Sequence, residues 1–215
     1  MVFIMKAELH CHSIYSDGTL APAEIMRLAK AKRIGAVALT DHNTISGHAE
    51  AEREAKKNGI IFIPGEEISS SDGHILALGI NKCVKRGMPA EKTIKIIHRL
   101  GGIAVFAHPY GQLFASKGNV EKARFFDAIE VNARSLPMEN RKAAQLAKKL
   151  GLPLVTGSDS HTKEEFGLFA CNVNGRSAGQ IINNIRKWNF RLDAMQRSML
   201  GIISAKLKRR LRRLL

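Results

Sequence analysis

Six histidines and a set of carboxylates recur along the sequence in patterns suited to holding metal ions. His10 and His12 form an HxH pair. Side-chain direction repeats every two residues on a strand, so both imidazoles share one face and can serve one ion. Asp41-His42, Glu66-Glu67, His74, His108 and Asp159-x-His161 follow, each at or near the end of a short apolar run. Imidazole and carboxylate donors without thiolate suit zinc, manganese or iron and do not select among them. The other two of the eight histidines, His48 and His98, lie inside helical patterns and read as surface or packing residues. No Ser-His-Asp order or nucleophile elbow competes, because Ser13 and Ser160 sit inside the histidine motifs.

These residues need elements that bring them together. Hydrophobic patterning predicts strands over 6–10, 36–40, 60–67, 74–79, 103–107, 128–132 and 153–158. Helices are predicted over 22–31, 46–58, 90–100 and 139–150, three of them closed by glycine. Such alternation implies an α/β fold of parallel strands with crossover helices outside, either a closed barrel or an open doubly wound sheet. The carboxyl ends of parallel strands lie on one rim, where ligands distant in sequence converge.

Composition sets the remaining bounds. A chain of 215 residues with 45% hydrophobic content can bury the core of one domain, taken as 1–190. The opening MVFIMKAELHCHS reaches Lys6 and Glu8 too soon for a signal peptide, and no apolar run approaches the roughly 18 residues of a spanning helix, so a cytoplasmic protein is expected. Cys11, Cys83 and Cys171 show no CxxC spacing, and Cys11 is expected to face away from His10 and His12 into apolar surroundings. Of the net charge of +15, the tail 191–215 carries eight basic residues against Asp193. Leu192, Met195, Met199, Ile203, Leu207, Leu211 and Leu214 form an apolar stripe there, which predicts a basic amphipathic helix. It would pack on the body or adhere to nucleic acid or an anionic membrane.

The ordered motifs ELHCHSIYSDGTL, ALTDHNT, PGEEIS, GHILALG, AHPYG and GSDSH resemble the PHP (polymerase and histidinol phosphatase) domain, in particular its small stand-alone metal-dependent phosphoesterases. The resemblance runs over 8–161, about 70% of the chain. It implies a distorted seven-stranded (β/α)7 barrel with a trinuclear site of divalent ions. Carried over by position, it assigns His10, His12, Glu67 and Asp159 to one metal, and Glu67, His74 and His108 to a second. Asp17, His42 and His161 fall to a third. Asp17 enters only through the resemblance, since an SDG triplet alone reads as a turn. Glu67 is preferred to Glu66 because it directly precedes Ile68-Ser69. Asp41 is expected to orient a ligand imidazole, and Glu130 to support the site or the fold.

The implied activity is hydrolysis of phosphate monoesters of a small metabolite or nucleotide, with a metal-bridging hydroxide as nucleophile. Glu67, Asp159 and His161 are the expected catalytic residues, together with Arg134, whose guanidinium can fork onto a phosphate; Lys163 is a weaker candidate. A phosphodiesterase or exonuclease acting on nucleic-acid ends is the alternative. An inactive metal-stabilised binding module is the third reading, and the complete ligand set argues against it.

Overall fold

The computed structural model describes residues 4–111 and 117–187. In chain order the elements are β1 (Ile4–Cys11), α1 (Pro22–Ala31), β2 (Ala36–Leu39), α2 (His48–Asn58), β3 (Ile61–Ser70), β4 (Gly73–Leu78), α3 (Ala90–Arg99) and β5 (Ile103–Phe106). After a short 3-10 turn over Val120–Phe125 come β6 (Ala128–Asn132), α4 (Pro137–Leu150), β7 (Leu154–Gly157), β8 (Cys171–Asn174) and α5 (Ala178–Arg186). The strands form one sheet in the order β7-β6-β5-β4-β3-β2-β1-β8. It curls until β7 meets the upper end of β1, where Cys11 bridges Ser160 and the His12 N–H donates to the Ser160 carbonyl at 2.9 Å. The result is a nearly closed α/β barrel. Among the described residues, no helix is long and apolar enough to cross a membrane.

Two features depart from the expected seven parallel strands. β4 runs antiparallel to both β3 and β5. Only Ser71 and Asp72 separate it from β3, and a two-residue link can make a hairpin but not a crossover. The eighth strand, β8, pairs antiparallel with the lower half of β1, from Ile4↔Asn174 to Ala7↔Cys171. The proposed basic helix over 191–215 lies outside the described residues.

Leu9, Ile63, Leu76, Leu78, Val105 and Val155 fill the barrel interior, closed from below by Ile181, Ile182 and Ile185 of α5. Outside, α1 and α2 cover Val37 and Leu39, while α3 and α4 cover Ile75, Phe106 and Ile129. Cys11 lies in the outer layer with α1 and α2, away from the two histidines that flank it, and its thiol donates to the Ala38 carbonyl. Along β1, three residue steps from Glu8 to Cys11 match two steps from Val37 to Leu39 on β2. This bulge lets Leu9 pack inward below while His10 and His12 face the same interior above it.

The Phe106 and Phe126 rings stack with centroids 4.4 Å apart, and Phe106 is 1% exposed. Phe106→Ala is expected to cost about 3–5 kcal/mol. Urea unfolding should show this as a lower midpoint at unchanged slope.

Candidate metal centre

The rim at which β1, β2, β3, β5, β6 and β7 end collects the predicted residues. β4 runs the other way, so its beginning reaches that rim and His74 joins the histidines contributed by strand ends. Glu67 stands at the centre, 1% exposed. Its Oε2 lies 3.1 Å from His10 Nε2, 3.2 Å from His12 Nε2 and 3.2 Å from His42 Nδ1. Its Oε1 lies 2.9 Å from His74 Nδ1 and 3.0 Å from His108 Nε2. Five imidazole nitrogens therefore converge on one carboxylate.

Asp159 borders this group, its Oδ1 3.3 Å from His12 Nε2 and 3.5 Å from His10 Nε2. Asp17 sits at the outer edge, half-exposed, with Oδ2 3.0 Å from His161 Nε2 and 3.8 Å from His42 Nε2. The donor atoms fall into three overlapping groups: His10, His12, Glu67 and Asp159; His42, Glu67 and His74; and His12, Asp17, His42 and His161. Within each, the atoms lie within 4.8 Å of one another.

Charge and geometry both favour a cation here. Burial opposes ionisation of Glu67, and the surrounding imidazoles, His10 foremost, outweigh it and hold the carboxyl well below its usual range. Burial likewise opposes charge on His10 and His12, but Glu130, Glu67 and Asp159 raise His10 strongly, and hydrogen bonds to Asp159 and Glu67 raise His12 to about 9. His42 is lowered, chiefly by burial. The buried Nδ1 atoms of His42 and His74 make no hydrogen bond, although each faces Glu67 within 3.2 Å. His10 Nε2 and His12 Nε2 face each other at 3.1 Å. One shared proton can relieve that pair, whereas a divalent cation would satisfy both lone pairs and the nitrogens beside them.

The imidazoles are fixed from behind. His10 Nδ1 lies 2.8 Å from Glu130 Oε1, and the other Glu130 oxygen accepts from the His108 N–H. Glu130 therefore orients the His10 imidazole and sets the backbone at His108. Gly157 makes room for this pair, since a Cβ there would lie 2.5 Å from both Glu130 Oε1 and the His10 Cβ. His108 and Asp159 adopt left-handed backbone, with φ of 29° and 50°, strain of a kind that collects at functional sites.

The remaining candidate residues surround this group or turn away from it. Asp41 touches no imidazole: it accepts from the Ser13 N–H at 2.6 Å, the Ser13 hydroxyl at 2.7 Å and the Ser16 hydroxyl at 2.7 Å. It fixes the turn after β1, and only Ser16, 3.5 Å from His12 Nδ1, links it to a histidine. Glu66 points away from the cluster and accepts from Cys83 Sγ and the Val84 N–H. Arg134 does reach the rim, with Nη1 2.9 Å from His161 Nδ1. Lys163 is exposed, and its carbonyl accepts from Lys32. His48 bonds the Gly65 carbonyl and His98 bonds Asp127, both away from the cluster.

Two residues were missed in the sequence. Asn132 donates its side-chain amide to Asp159 Oδ2 at 3.1 Å while its side-chain oxygen Oδ1 accepts from the Arg134 and Ser135 N–H groups. Glu8, fully buried, accepts from the N–H groups of His10, Ser158 and Gly167 and from the Ser158 hydroxyl. It ties β1 to β7 beneath Asp159.

Residues 8–150 match the PHP domain family, and residues 137–189 match a PHP-associated family. The chain belongs to the PHP domain family of metal-dependent phosphoesterases. An uncharacterised Methanocaldococcus jannaschii protein is 37% identical over 138 residues, covering 59% of this chain and 81% of its own. A 5'-3' exoribonuclease of Haemophilus influenzae is 47% identical over 81 residues, and a 3',5'-nucleoside bisphosphate phosphatase of Chromobacterium violaceum is 45% identical over 91. Those matches cover 36% and 40% of this chain and 30% of each relative. A two-domain Bacteroides vulgatus protein, described as containing a predicted PHP-like metal-dependent phosphoesterase, superposes with a TM-score of 0.70 at 20% identity. That superposition covers 86% of this chain and 64% of the other, and it carries the PHP fold.

Two outcomes are expected. Gly157→Ala should leave far-UV dichroism native but reduce bound metal, because the added methyl displaces His10 and Glu130; a variant with undiminished metal content would contradict this. The raised imidazoles hold protons that a cation must displace, so apparent Mn2+ affinity should strengthen as pH rises from about 6.5 toward about 9. Calorimetry in buffers of different ionisation enthalpy would read the released protons.

Proposed function

We propose that the protein hydrolyses phosphate monoesters of a small metabolite or nucleotide, using two or three divalent ions drawn from manganese, zinc and iron. The observation that carries this reading is the convergence of five imidazoles on the single buried carboxylate of Glu67. We assign His10, His12, Glu67 and Asp159 to one ion, Glu67, His74 and His108 to a second, and Asp17, His42 and His161 to a third. When bound, such ions lower the pKa of coordinated water to about 7 and neutralise charge on the phosphate oxygens.

The chain's own residues do the positioning. Glu130 holds the His10 ring so that its Nε2 faces Glu67, and Asn132 steadies Asp159. His161 Nδ1 lies within 3.0 Å of both the Asp159 carbonyl and Arg134 Nη1. One nitrogen cannot donate to the first and accept from the second at once. The tautomer that offers Nε2 as a lone pair carries its proton on Nδ1 and donates it to the Asp159 carbonyl, and the Arg134 guanidinium beside that ring is the proposed grip on a phosphate oxygen. Glu67, Asp159, His161 and Arg134 are thus the proposed catalytic group.

Hydrolysis at a nucleic-acid end is the second reading, favoured by similarity to the exoribonuclease over 81 residues. Turnover of an aryl phosphate, a nucleoside bisphosphate and a terminally phosphorylated oligonucleotide by one preparation distinguishes the two. Glu67→Gln should lower turnover of whichever is hydrolysed by about 100-fold or more, with loss of metal, and chelation should abolish it. Glu66→Gln, on the outer face, should cost less than about tenfold and leave metal content unchanged. Equal losses at the two positions, or activity that survives chelation, would overturn the assignment.

A further inference from the structure

The two adjacent glutamates of β3 serve opposite faces. Glu67 faces the histidines, while the buried Glu66 carboxylate takes the Val84 N–H at 2.9 Å and the Cys83 thiol at 3.0 Å. The segment it holds is the return from β4. Because β4 descends from the rim, the chain must climb back outside the barrel before α3 begins. The contacts trace that climb. Gly79 N bonds the Pro64 carbonyl, Val84 N reaches Glu66, Gly87 N bonds the Ser69 carbonyl at 2.7 Å, and Met88 O accepts from Ser71 N at 3.0 Å. Cys83 Sγ also lies 3.5 Å from the carbonyl of Asn43, the neighbour of His42.

The climbing segment therefore runs beside the metal-binding rim, and it is strongly cationic. Lys82, Lys85 and Arg86 are exposed, and residues 79–90 contain no acid. Lys117 is exposed on the other flank of the β3–β4 turn, where Gly118 packs against Gly73. No large apolar side chain of the segment is offered to solvent: Val84 is buried and Met88 half-buried. A lipid surface would want such a group to insert.

We infer that segment 81–88 is a docking surface for single-stranded nucleic acid whose terminal phosphate lies in the histidine cluster. This inference rests on the phosphoesterase reading and extends it to a substrate class. A metabolite whose only phosphate sat among the histidines would leave Lys82, Lys85 and Arg86 without an anion. A strand supplies further phosphates along the rim, and each contact releases counterions.

The test uses the full, metal-loaded chain and a labelled, phosphorothioate-linked single strand, followed by fluorescence anisotropy across a salt series. The rim variant combines Lys82→Ala, Lys85→Ala and Arg86→Ala. A charge-matched control combines Lys56→Ala, Lys148→Ala and Lys149→Ala, exposed residues at the C-terminal ends of α2 and α4, just before β3 and β7 begin at the far end of the barrel. The rim variant should bind at least about tenfold more weakly at 0.1 M salt, with the salt slope reduced by about 2. The control should match the parent, and turnover of an aryl phosphate should be unchanged in both. Equal weakening in both variants would show only the overall charge at work and would overturn the inference. So would an unchanged slope in the rim variant, or a loss confined to anionic vesicles. Failure of every ester to turn over, with the slope still reduced, would sink the phosphoesterase reading while leaving the docking surface standing.

Discussion

A carboxylate buried to 1% exposure is the constraint on which the rest of the site depends. An ionised group removed from water without partners costs several kcal/mol, and here the compensation is drawn from five histidines on four different segments. That convergence requires strand ends from most of the barrel to reach one point within hydrogen-bond distances. It explains why the supporting contacts are themselves buried and polar. Glu130 grips His10 and the backbone of His108, Asn132 grips Asp159, and Glu8 ties Ser158 to His10. Loosening any of these shifts a ring relative to Glu67, and so weakens neutralisation of the same charge.

The reversed strand is the architectural form of this constraint. In a purely parallel barrel His74, at the start of its strand, would face the far end. The short turn between β3 and β4 instead places Gly73 beside Ser70 and His74 beside Ser69, one residue pair beyond Ile68 and two beyond Glu67. The same reversal forces the chain to climb back outside β3, where Glu66 captures it. Successive residues with opposite orientation thereby couple the histidine-lined interior to the cationic outer edge through a single stretch of backbone.

Period-two and period-3.6 patterning made much of this legible in sequence. Among the described residues it placed seven of the eight strands and four of the five helices, and the HxH pair shares a face as strand geometry requires. The reversal of β4 went unread: six residues lay between the strands expected over 60–67 and 74–79, too few for a crossover, but apolar runs alone carry no direction. β8 escaped because Cys-Asn-Val-Asn is short and half polar, and pairing with β1 rather than local preference makes it a strand. Asp17 looked like any turn aspartate, and only the resemblance singled it out. Asp41 reaches no imidazole directly: the chain turns its carboxylate toward Ser13 and Ser16, and Ser16 stands between it and His12. Asn132 and Glu8 were invisible for a related reason: their partners, Asp159 and Ser158, lie far along the chain, and no local spacing announces such contacts.

The histidine cluster by itself does not discriminate among phosphate esters, because every one of them presents the same anionic oxygens to it. Selection has to come from groups around it. Ile14 and Tyr15, 57% and 45% exposed in the turn between His12 and Asp17, offer an apolar face at one side of the rim. Arg134 offers a fork at another, and the climbing segment 81–88 offers separated charges beyond His42. These three kinds of surface match the three parts of a nucleotide chain: a base to cover, a phosphate to grip and a trailing polyanion to steer. A small metabolite needs only the second. An edge that provides all three is what the proposed docking of a nucleic-acid strand requires.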